Sequence, residues 1–110
     1  MADHIIGPGP ALKPTSHPVQ VVAAIPAMAV AAEATTTLRI GSRVLSTDYR
    51  NPVIMAKELA TLDVLSDGRT EIGMGAGWMI SDYDQSGIPY DSPKVRIDRF
   101  IEGMAIMHLI

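Results

Sequence analysis

The glycine-rich stretch at residues 67–78, Asp-Gly-Arg-Thr-Glu-Ile-Gly-Met-Gly-Ala-Gly-Trp, constrains the fold of this chain more than any other segment. Asp67-Gly68 indicates a turn, because glycine accepts the positive φ angles that a tight turn requires. Residues 70–75 then alternate between apolar and small or polar side chains, which predicts a short strand. Glycines 73, 75 and 77 leave the backbone bare where that strand ends. Backbone without side chains would allow a flat or phosphorylated ligand to approach closely. Glycine spacing alone is a weak signal, however, and taken by itself it favours the interpretation that these glycines relieve crowding inside a curved sheet.

The hydrophobic pattern predicts three helices alternating with two strands. The predicted elements are a helix over residues 19–34 with a kink at Pro26, a strand over 38–45, a helix from Asn51-Pro52 to Gly68, a strand over 70–75, a polar loop over 78–93 and a helix from about Pro93. Two strands joined through a helix are expected to be parallel. Because a two-stranded parallel sheet leaves both edges open, this layout predicts a piece of a larger α/β protein.

Composition excludes several classes of function. A net charge of −3 without a basic cluster argues against a nucleic-acid partner. The chain has no cysteine, which excludes disulfides and thiolate metal sites and fits a cytoplasmic protein. No metal-ligand spacing is visible. The apolar run at residues 19–32 is shorter than the about 20 residues that a membrane-spanning helix needs, so no membrane association is expected.

The sequence predicts the partners or the solvent exposure of several side chains in the helices. Asp63 interrupts a partly buried helix face and is expected to bond with Arg39 or Arg69. The charged residues of the last helix are expected to be solvated, with an apolar stripe facing the protein. That stripe consists of Ile97, Phe100, Ile101, Met104 and Met107, and the charged residues include Arg96, Asp98, Arg99 and Glu102.

Several runs of sequence together resemble the luciferase-like monooxygenase superfamily, and most closely its deazaflavin-dependent oxidoreductase branch. The runs are Leu-Arg-Ile-Gly-Ser-Arg-Val-Leu at 38–45, Arg-Asn-Pro at 50–52, residues 56–69, Glu-Ile-Gly-Met-Gly-Ala-Gly-Trp at 71–78, Asp-Tyr at 82–83, Gly-Ile-Pro-Tyr at 87–90 and Arg-Ile-Asp-Arg at 96–99. The resemblance implies a TIM (β/α)8 barrel, with the ligand site at the carboxyl ends of its strands. Residues 1–110 would then form one partial barrel domain, holding roughly the third and fourth strands with flanking helices, and the remainder of the barrel would be missing.

The resemblance also implies a cofactor, coenzyme F-420, with FMN as the alternative. A bulge or non-prolyl cis peptide near Arg43, Val44, Leu45 and Ser46 would support the cofactor ring. The exit of the next strand, Gly75, Ala76 and Gly77, would lie along the cofactor, and Ser81 would meet its polar tail. His4 is expected to act as an acid/base group or cofactor contact; the alternative is an exposed terminal residue. Trp78, Asp82 and Tyr83 would form the substrate pocket, or else pack under, cap or brace a loop.

The expected activity is hydride transfer between the cofactor and a small organic substrate. The alternatives are an FMN-dependent monooxygenase that uses molecular oxygen and a partner reductase, and a non-catalytic truncated relic. The isolated chain is expected to bind cofactor weakly or not at all. Open sheet edges and apolar helix faces predict self-association or a need for the missing barrel half.

Overall fold

The computed structural model describes residues 2–5 and 22–110, which form helices around a two-stranded sheet. Its elements are α1 (Ala24–Glu33), β1 (Ile40–Ser46), a 3-10 turn (Thr47–Tyr49), α2 (Pro52–Leu65), β2 (Thr70–Gly75), α3 (Ile80–Ser86) and α4 (Pro93–Leu109). The α/β class predicted from the sequence is confirmed. No helix of the described ranges is long and apolar enough to cross a bilayer.

The two strands pair in parallel, as predicted, with α2 connecting them. Ile40 lies opposite Thr70 at one end and Ser46 opposite Gly75 at the other. The register is irregular between Ser42 and Leu45, where the Arg43–Val44 peptide bond is cis. The bulge or cis peptide expected at this position is therefore present. Both strands end at the same edge of the sheet, so the loops that follow them meet there.

Helix α2 begins at the predicted residues. The Asn51 side chain accepts hydrogen bonds from the backbone N–H groups of Val53 (2.9 Å) and Ile54 (3.4 Å), and Pro52 occupies the first turn. The helix ends at Leu65, and both Asp67 (φ 57°) and Gly68 (φ 72°) are left-handed. The turn predicted at this pair is confirmed, although the left-handed conformation extends to the aspartate.

The prediction of a kink at Pro26 is wrong. Helix α1 starts at Ala24, after an extended Ala23, so Pro26 lies in the first turn. An N–H group in the first turn has no intrahelical acceptor, and proline therefore removes no bond there. Residues 19–21 of the predicted helix lie outside the described residues, and Val22 and Ala23 are not helical.

The loop predicted over residues 78–93 contains a helix that the sequence pattern did not indicate. Helix α3 ends at Ser86 and is followed by Gly87, which is left-handed at φ 75°. The two serines and two aspartates among its seven residues are poor helix formers. Asp82 and Tyr83, however, are buried almost completely, and their tertiary contacts explain why the segment folds as a helix.

The main apolar core lies between α1, α2 and the sheet, where Met28, Ala32, Ile40 and Leu62 pack together. Helix α4 buries a face that coincides only partly with the predicted apolar stripe. Arg96 and Gly103 are its buried residues. Phe100, Met104 and Met107 of the stripe are half-buried, whereas Ile97 is 49% and Ile101 61% exposed. Residues 96, 99 and 103 share one face at helical spacing, and that face packs against the loops at the sheet's carboxyl edge.

Candidate functional site

A cavity of about 140 Å³, the strand-end cavity, lies at the carboxyl ends of the two strands. Residues 2–4, far away in the sequence, join the strand ends around it. Its lining consists of Ala2, Asp3, His4, Arg43, Val44, Ser46, Tyr49, Gly77 and Trp78. Five of the residues that the resemblance assigned to a site, His4, Val44, Ser46, Gly77 and Trp78, therefore come together. This edge is where parallel α/β sheets bind ligands.

Asp3 anchors the N-terminal segment to the end of β1. Its carboxylate accepts two hydrogen bonds from Arg50, at 2.5 and 2.9 Å, and one from the backbone N–H of Ser46 at 3.1 Å. The hydrogen bond with Asp3 is the main cause that raises the pKa of the Arg50 guanidinium. A paired, largely buried carboxylate of this kind fixes the position of its neighbours. Nothing in the sequence pattern indicated this pair, because its members are 47 positions apart.

His4 is held by a buried carboxylate at the side of the cavity. Its Nδ1 lies 2.9 Å from Oδ2 of Asp82, and the hydroxyl of Tyr49 donates to the same oxygen at 3.2 Å. Asp82 is 0% exposed. Burial, and then the charge of Asp82, raise the pKa of Tyr49. The ring of Trp78 meets the His4 ring edge-on, with centroids 5.8 Å apart. Within the described structure His4 is thus a packed and hydrogen-bonded group, not an exposed terminal residue.

Val44 forms an apolar side of the cavity and packs over the glycines of β2. A Cβ placed on Gly75 would lie 2.6 Å from Cγ2 of Val44, and one on Gly73 would lie 2.7 Å from the Ser42 carbonyl oxygen. These two glycines therefore allow the strands to approach closely, which supports the crowding interpretation of the motif. Contact between Gly75 and a cofactor stays a prediction.

Gly77 is required by its backbone conformation and by the lack of space for a Cβ atom, and not by the close approach of the strands. Its φ of 75° is left-handed, and a Cβ there would lie 1.9 Å from the Tyr83 hydroxyl. Tyr83 is 1% exposed and donates to Oδ2 of Asp48 at 2.7 Å. The tyrosine therefore occupies the space beneath the cavity-lining backbone at Gly77.

Two arginines of helix α4 hold this region in place. The prediction of a solvated charge is wrong for Arg96, which is 8% exposed, whereas the Arg99 side chain is 40% exposed although it is ion-paired. Arg96 donates to the Gly77 carbonyl, to the Tyr90 hydroxyl at 3.2 Å and to the Asp91 carbonyl at 3.1 Å. Arg99 bridges Asp48, at 2.8 Å, and Asp91. The bond to Asp48 is the main cause that raises the pKa of Arg99. The placement of both arginines on one helix face was the available signal.

The other predicted site residues lie outside the cavity lining. Leu45 is fully buried, Ala76 accepts a hydrogen bond from Tyr83 at 3.5 Å through its carbonyl, and Ser81 is half-buried on α3. Asp82 and Tyr83 are buried behind the cavity. Contacts of these residues with cofactor or substrate stay predictions. Among the described residues, no group of three or more His, Asp or Glu side chains is arranged to hold a metal ion.

The buried phenol of Tyr83 predicts a pH-dependent loss of stability. Burial, followed by the hydrogen bond with Asp48, raises its pKa from 10.0 to about 12. Below pH 10 the phenol is protonated in both the folded and the unfolded chain, so the free energy of unfolding is not reduced. Above pH 10 the unfolded chain loses this proton more readily than the folded chain, so the stability that the protonated Tyr83 contributes is lost as the pH rises through about 12. In an ultraviolet titration of tyrosinate, Tyr83→Phe should remove a transition near this value. A transition that persists in the variant would contradict the assignment.

The chain is therefore an α/β protein with a cavity at the carboxyl ends of two parallel strands. A sequence model of the family described as luciferase-like monooxygenase matches residues 2–110, and the chain belongs to this family.

Enzymes named for different activities are among the similar proteins. An F420-dependent glucose-6-phosphate dehydrogenase of Amycolatopsis mediterranei is 33% identical over 81 residues, covering 73% of this chain and 24% of that enzyme. The limonene 1,2-monooxygenase of Rhodococcus erythropolis is 38% identical over 74 residues, covering 66% and 19%. A crystal structure of a monooxygenase from Streptomyces bottropensis matches with a TM-score of 0.67 at 26% identity, covering 76% and 24%. The chain spans about a quarter of the length of the curated relatives it matches.

Proposed function

We propose that this chain forms part of a TIM-barrel oxidoreductase that transfers hydride between a deazaflavin cofactor, coenzyme F-420, and a small organic substrate. The observation that carries the proposal is the convergence of residues 2–4, the end of β1 and the glycine-rich exit of β2 on one cavity. Relatives named as F420-dependent, at 33% identity, support the choice of cofactor. The absence of cysteine supports a cytoplasmic location within this proposal.

The chemistry of the lining fits a planar ring. Val44 is 41% exposed and presents branched apolar carbons, while Trp78, 55% exposed, and His4 offer aromatic surface beside it. Flat apolar surface with a few polar groups at its margin is what a ring system of this kind requires. When bound, a deazaflavin cofactor supplies the hydride-transfer chemistry itself.

The residues of this chain would then bind, orient and exchange a proton. Val44, Ser46 and Gly77 would hold the ring, with Leu45, Gly75 and Ala76 completing the strand ends and Ser81 near the polar tail. Trp78 would limit the substrate side. His4, fixed by Asp82, would hold or accept a proton beside the substrate, a role for which histidine is suited near neutral pH.

A second candidate is an FMN-dependent monooxygenase. The monooxygenase names of the limonene enzyme and of the structural neighbour favour it. The same lining would serve a flavin ring, so the two candidates differ in cofactor preference and in the use of molecular oxygen. The third candidate, a non-catalytic relic, predicts no saturable binding of either cofactor.

We also propose that the chain acts together with further polypeptide, either a second copy or the rest of the barrel. An apolar groove of about 250 Å³ runs between α2, β2 and α4. It is lined by Ala56, Leu59, Ile72, Met74, Met104, Met107 and His108. Uncovered apolar surface next to a sheet of two strands favours association.

Fluorescence titration of the purified chain with F-420 and with FMN, with size-exclusion chromatography alongside, tests the proposal. The isolated chain is expected to bind F-420 weakly or not at all, and saturable binding by a discrete oligomer would support the proposal. Val44→Asp should weaken this binding about tenfold or more, because a carboxylate at an apolar contact costs at least about 1.4 kcal/mol. Val64→Asp is the matched control, since Val64 is 78% exposed on α2.

Each cofactor outcome decides between the candidates. Preference for FMN over F-420 would favour the monooxygenase. Binding of neither cofactor by a folded chain would favour the non-catalytic relic. Equal effects of the two valine substitutions on binding would contradict the assignment of the strand-end cavity as the cofactor site.

A further inference from the structure

The carboxylate of Asp82 faces His4 instead of the strand-end cavity. It is fully buried, it does not belong to the cavity lining, and His4 lies 78 positions away in the sequence. The resemblance placed Asp82 in the substrate pocket together with Tyr83. The contacts favour a different role, because the atom that a substrate would need to reach is covered by protein.

The hydrogen bonds at Asp82 specify which nitrogen of His4 carries the proton. Tyr49 donates its hydroxyl proton to Oδ2 of Asp82 at 3.2 Å, and Nδ1 of His4 lies 2.9 Å from the same oxygen. When Asp82 is ionised its carboxylate only accepts hydrogen bonds, and the imidazole then donates from Nδ1. The basic lone pair of the neutral ring is then on Nε2, at the opposite side of the ring.

We infer that Asp82 is a positioning residue that fixes the orientation of His4 and keeps its neutral ring protonated on Nδ1. Tyr49 holds the carboxylate from one side, and the edge-on ring of Trp78 limits rotation of the imidazole. A proton that passes from a substrate hydroxyl to Nε2 creates an imidazolium, and the Asp82 carboxylate stabilises its charge. The inference rests on the proposed function for the role of His4 as the acid/base group.

The test is the tautomer of His4 in the full cofactor-free chain. Ring nitrogen and carbon NMR shifts, recorded at about pH 8.5 where an ordinary histidine is neutral, distinguish Nδ1–H from Nε2–H. The chain has three histidines, and His4→Gln identifies the signals that belong to this ring. We expect the Nδ1–H form in the unsubstituted protein. A ring protonated mainly on Nε2 would overturn the inference, and this measurement needs no variant of Asp82.

Asp82→Leu should abolish the preference for the Nδ1–H form. Leucine is similar in size to aspartate but offers no acceptor, so Nδ1 loses the carboxylate oxygen that holds its proton. Asp84→Leu is the matched control, because Asp84 lies on the same helix and is exposed. Circular dichroism verifies that both variants fold. A folded Asp82→Leu protein with the tautomer of the unsubstituted chain would overturn the inference.

The NMR result separates this inference from the proposed function. Failure to bind F-420 with the expected tautomer would reject only the function, whereas binding with the wrong tautomer would reject only the role of Asp82. Where turnover is measurable, Asp82→Leu should lower kcat by about 100-fold or more with KM little changed, because the affected group acts on a proton and not on binding.

Discussion

Gly77→Ala is expected to destabilise the folded chain by about 2–5 kcal/mol. A left-handed φ of 75° costs a residue with a Cβ about 1–2 kcal/mol, and forcing extra volume into packed structure adds about 1–3 kcal/mol. The second cost is expected because the new Cβ would overlap the buried Tyr83 hydroxyl at 1.9 Å. Urea unfolding measures the loss as a lower midpoint. Fluorescence of Trp78, the only tryptophan, should change as well because its neighbour moves.

Gly87→Ala separates the two costs. Gly87 has the same φ of 75°, but no atom of the described residues lies within 4 Å of the position that its Cβ would take, so only the conformational cost of about 1–2 kcal/mol applies. Because Tyr83→Phe removes the overlapping oxygen, Gly77→Ala should cost less in a Tyr83→Phe background than in the unsubstituted chain, when each double and single variant is compared with its own parent. Part of the cost remains because Cζ of Tyr83 would still lie 3.0 Å away. Equal destabilisation by the two alanine substitutions would show that crowding at Tyr83 is unimportant.

The parts of the fold that were predicted correctly depend on local chemistry. Asn51 caps α2 with its own side chain, and the alternation of residues 70–75 specifies β2 without help from distant residues. Helix α3 was missed because its stability comes from burial of Asp82 and Tyr83, which no local pattern records. The buried face of α4 was partly misassigned because an arginine with carbonyl and hydroxyl partners can be buried, while Ile97 and Ile101 remain exposed in this chain.

The candidate site could be predicted in its location but not in its hydrogen bonds. Parallel strands and a family resemblance indicated the carboxyl edge, and the predicted His4, Val44, Ser46, Gly77 and Trp78 line one cavity there. The pairs that hold this cavity in place, such as Asp3 with Arg50 and His4 with Asp82, join residues 47 and 78 positions apart. A single sequence contains no information on such pairs until the topology brings them together.

Arg69→Met is expected to destabilise the chain by about 2–4 kcal/mol. Arg69 was one of two expected partners of Asp63, but Asp63 accepts hydrogen bonds from Thr70 instead. Arg69 donates to backbone carbonyls and a hydroxyl at the ends of α1 and α2 and before β1. Its acceptors are the carbonyl oxygens of Ala32 (2.8 Å), Thr35 (3.1 Å), Leu38 (2.7 Å) and Ser66 (2.7 Å), and the hydroxyl of Thr35 (3.0 Å).

The physical reason is that helices end with carbonyl groups that have no intrahelical donor. Each hydrogen bond from a charged donor contributes about 1.5–3 kcal/mol, and the five are not additive because water reaches some acceptors after substitution. Arg69→Lys should recover less than half of the loss, since an ammonium group cannot reproduce the fork of the guanidinium. Thermal or urea unfolding of both variants provides the comparison.

Arg39→Met is the matched control for this prediction. Arg39 precedes β1 much as Arg69 precedes β2, yet it makes one ion pair, 2.7 Å from Glu71, with side chains 69% and 62% exposed. A pair so accessible to solvent contributes about 0–1 kcal/mol, and high salt weakens it further. Equal destabilisation by Arg39→Met and Arg69→Met would show that losing an arginine before a strand is costly at either position, and would contradict the prediction. A much larger destabilisation by Arg69→Met would show that its cost comes from the carbonyl groups that Arg69 satisfies.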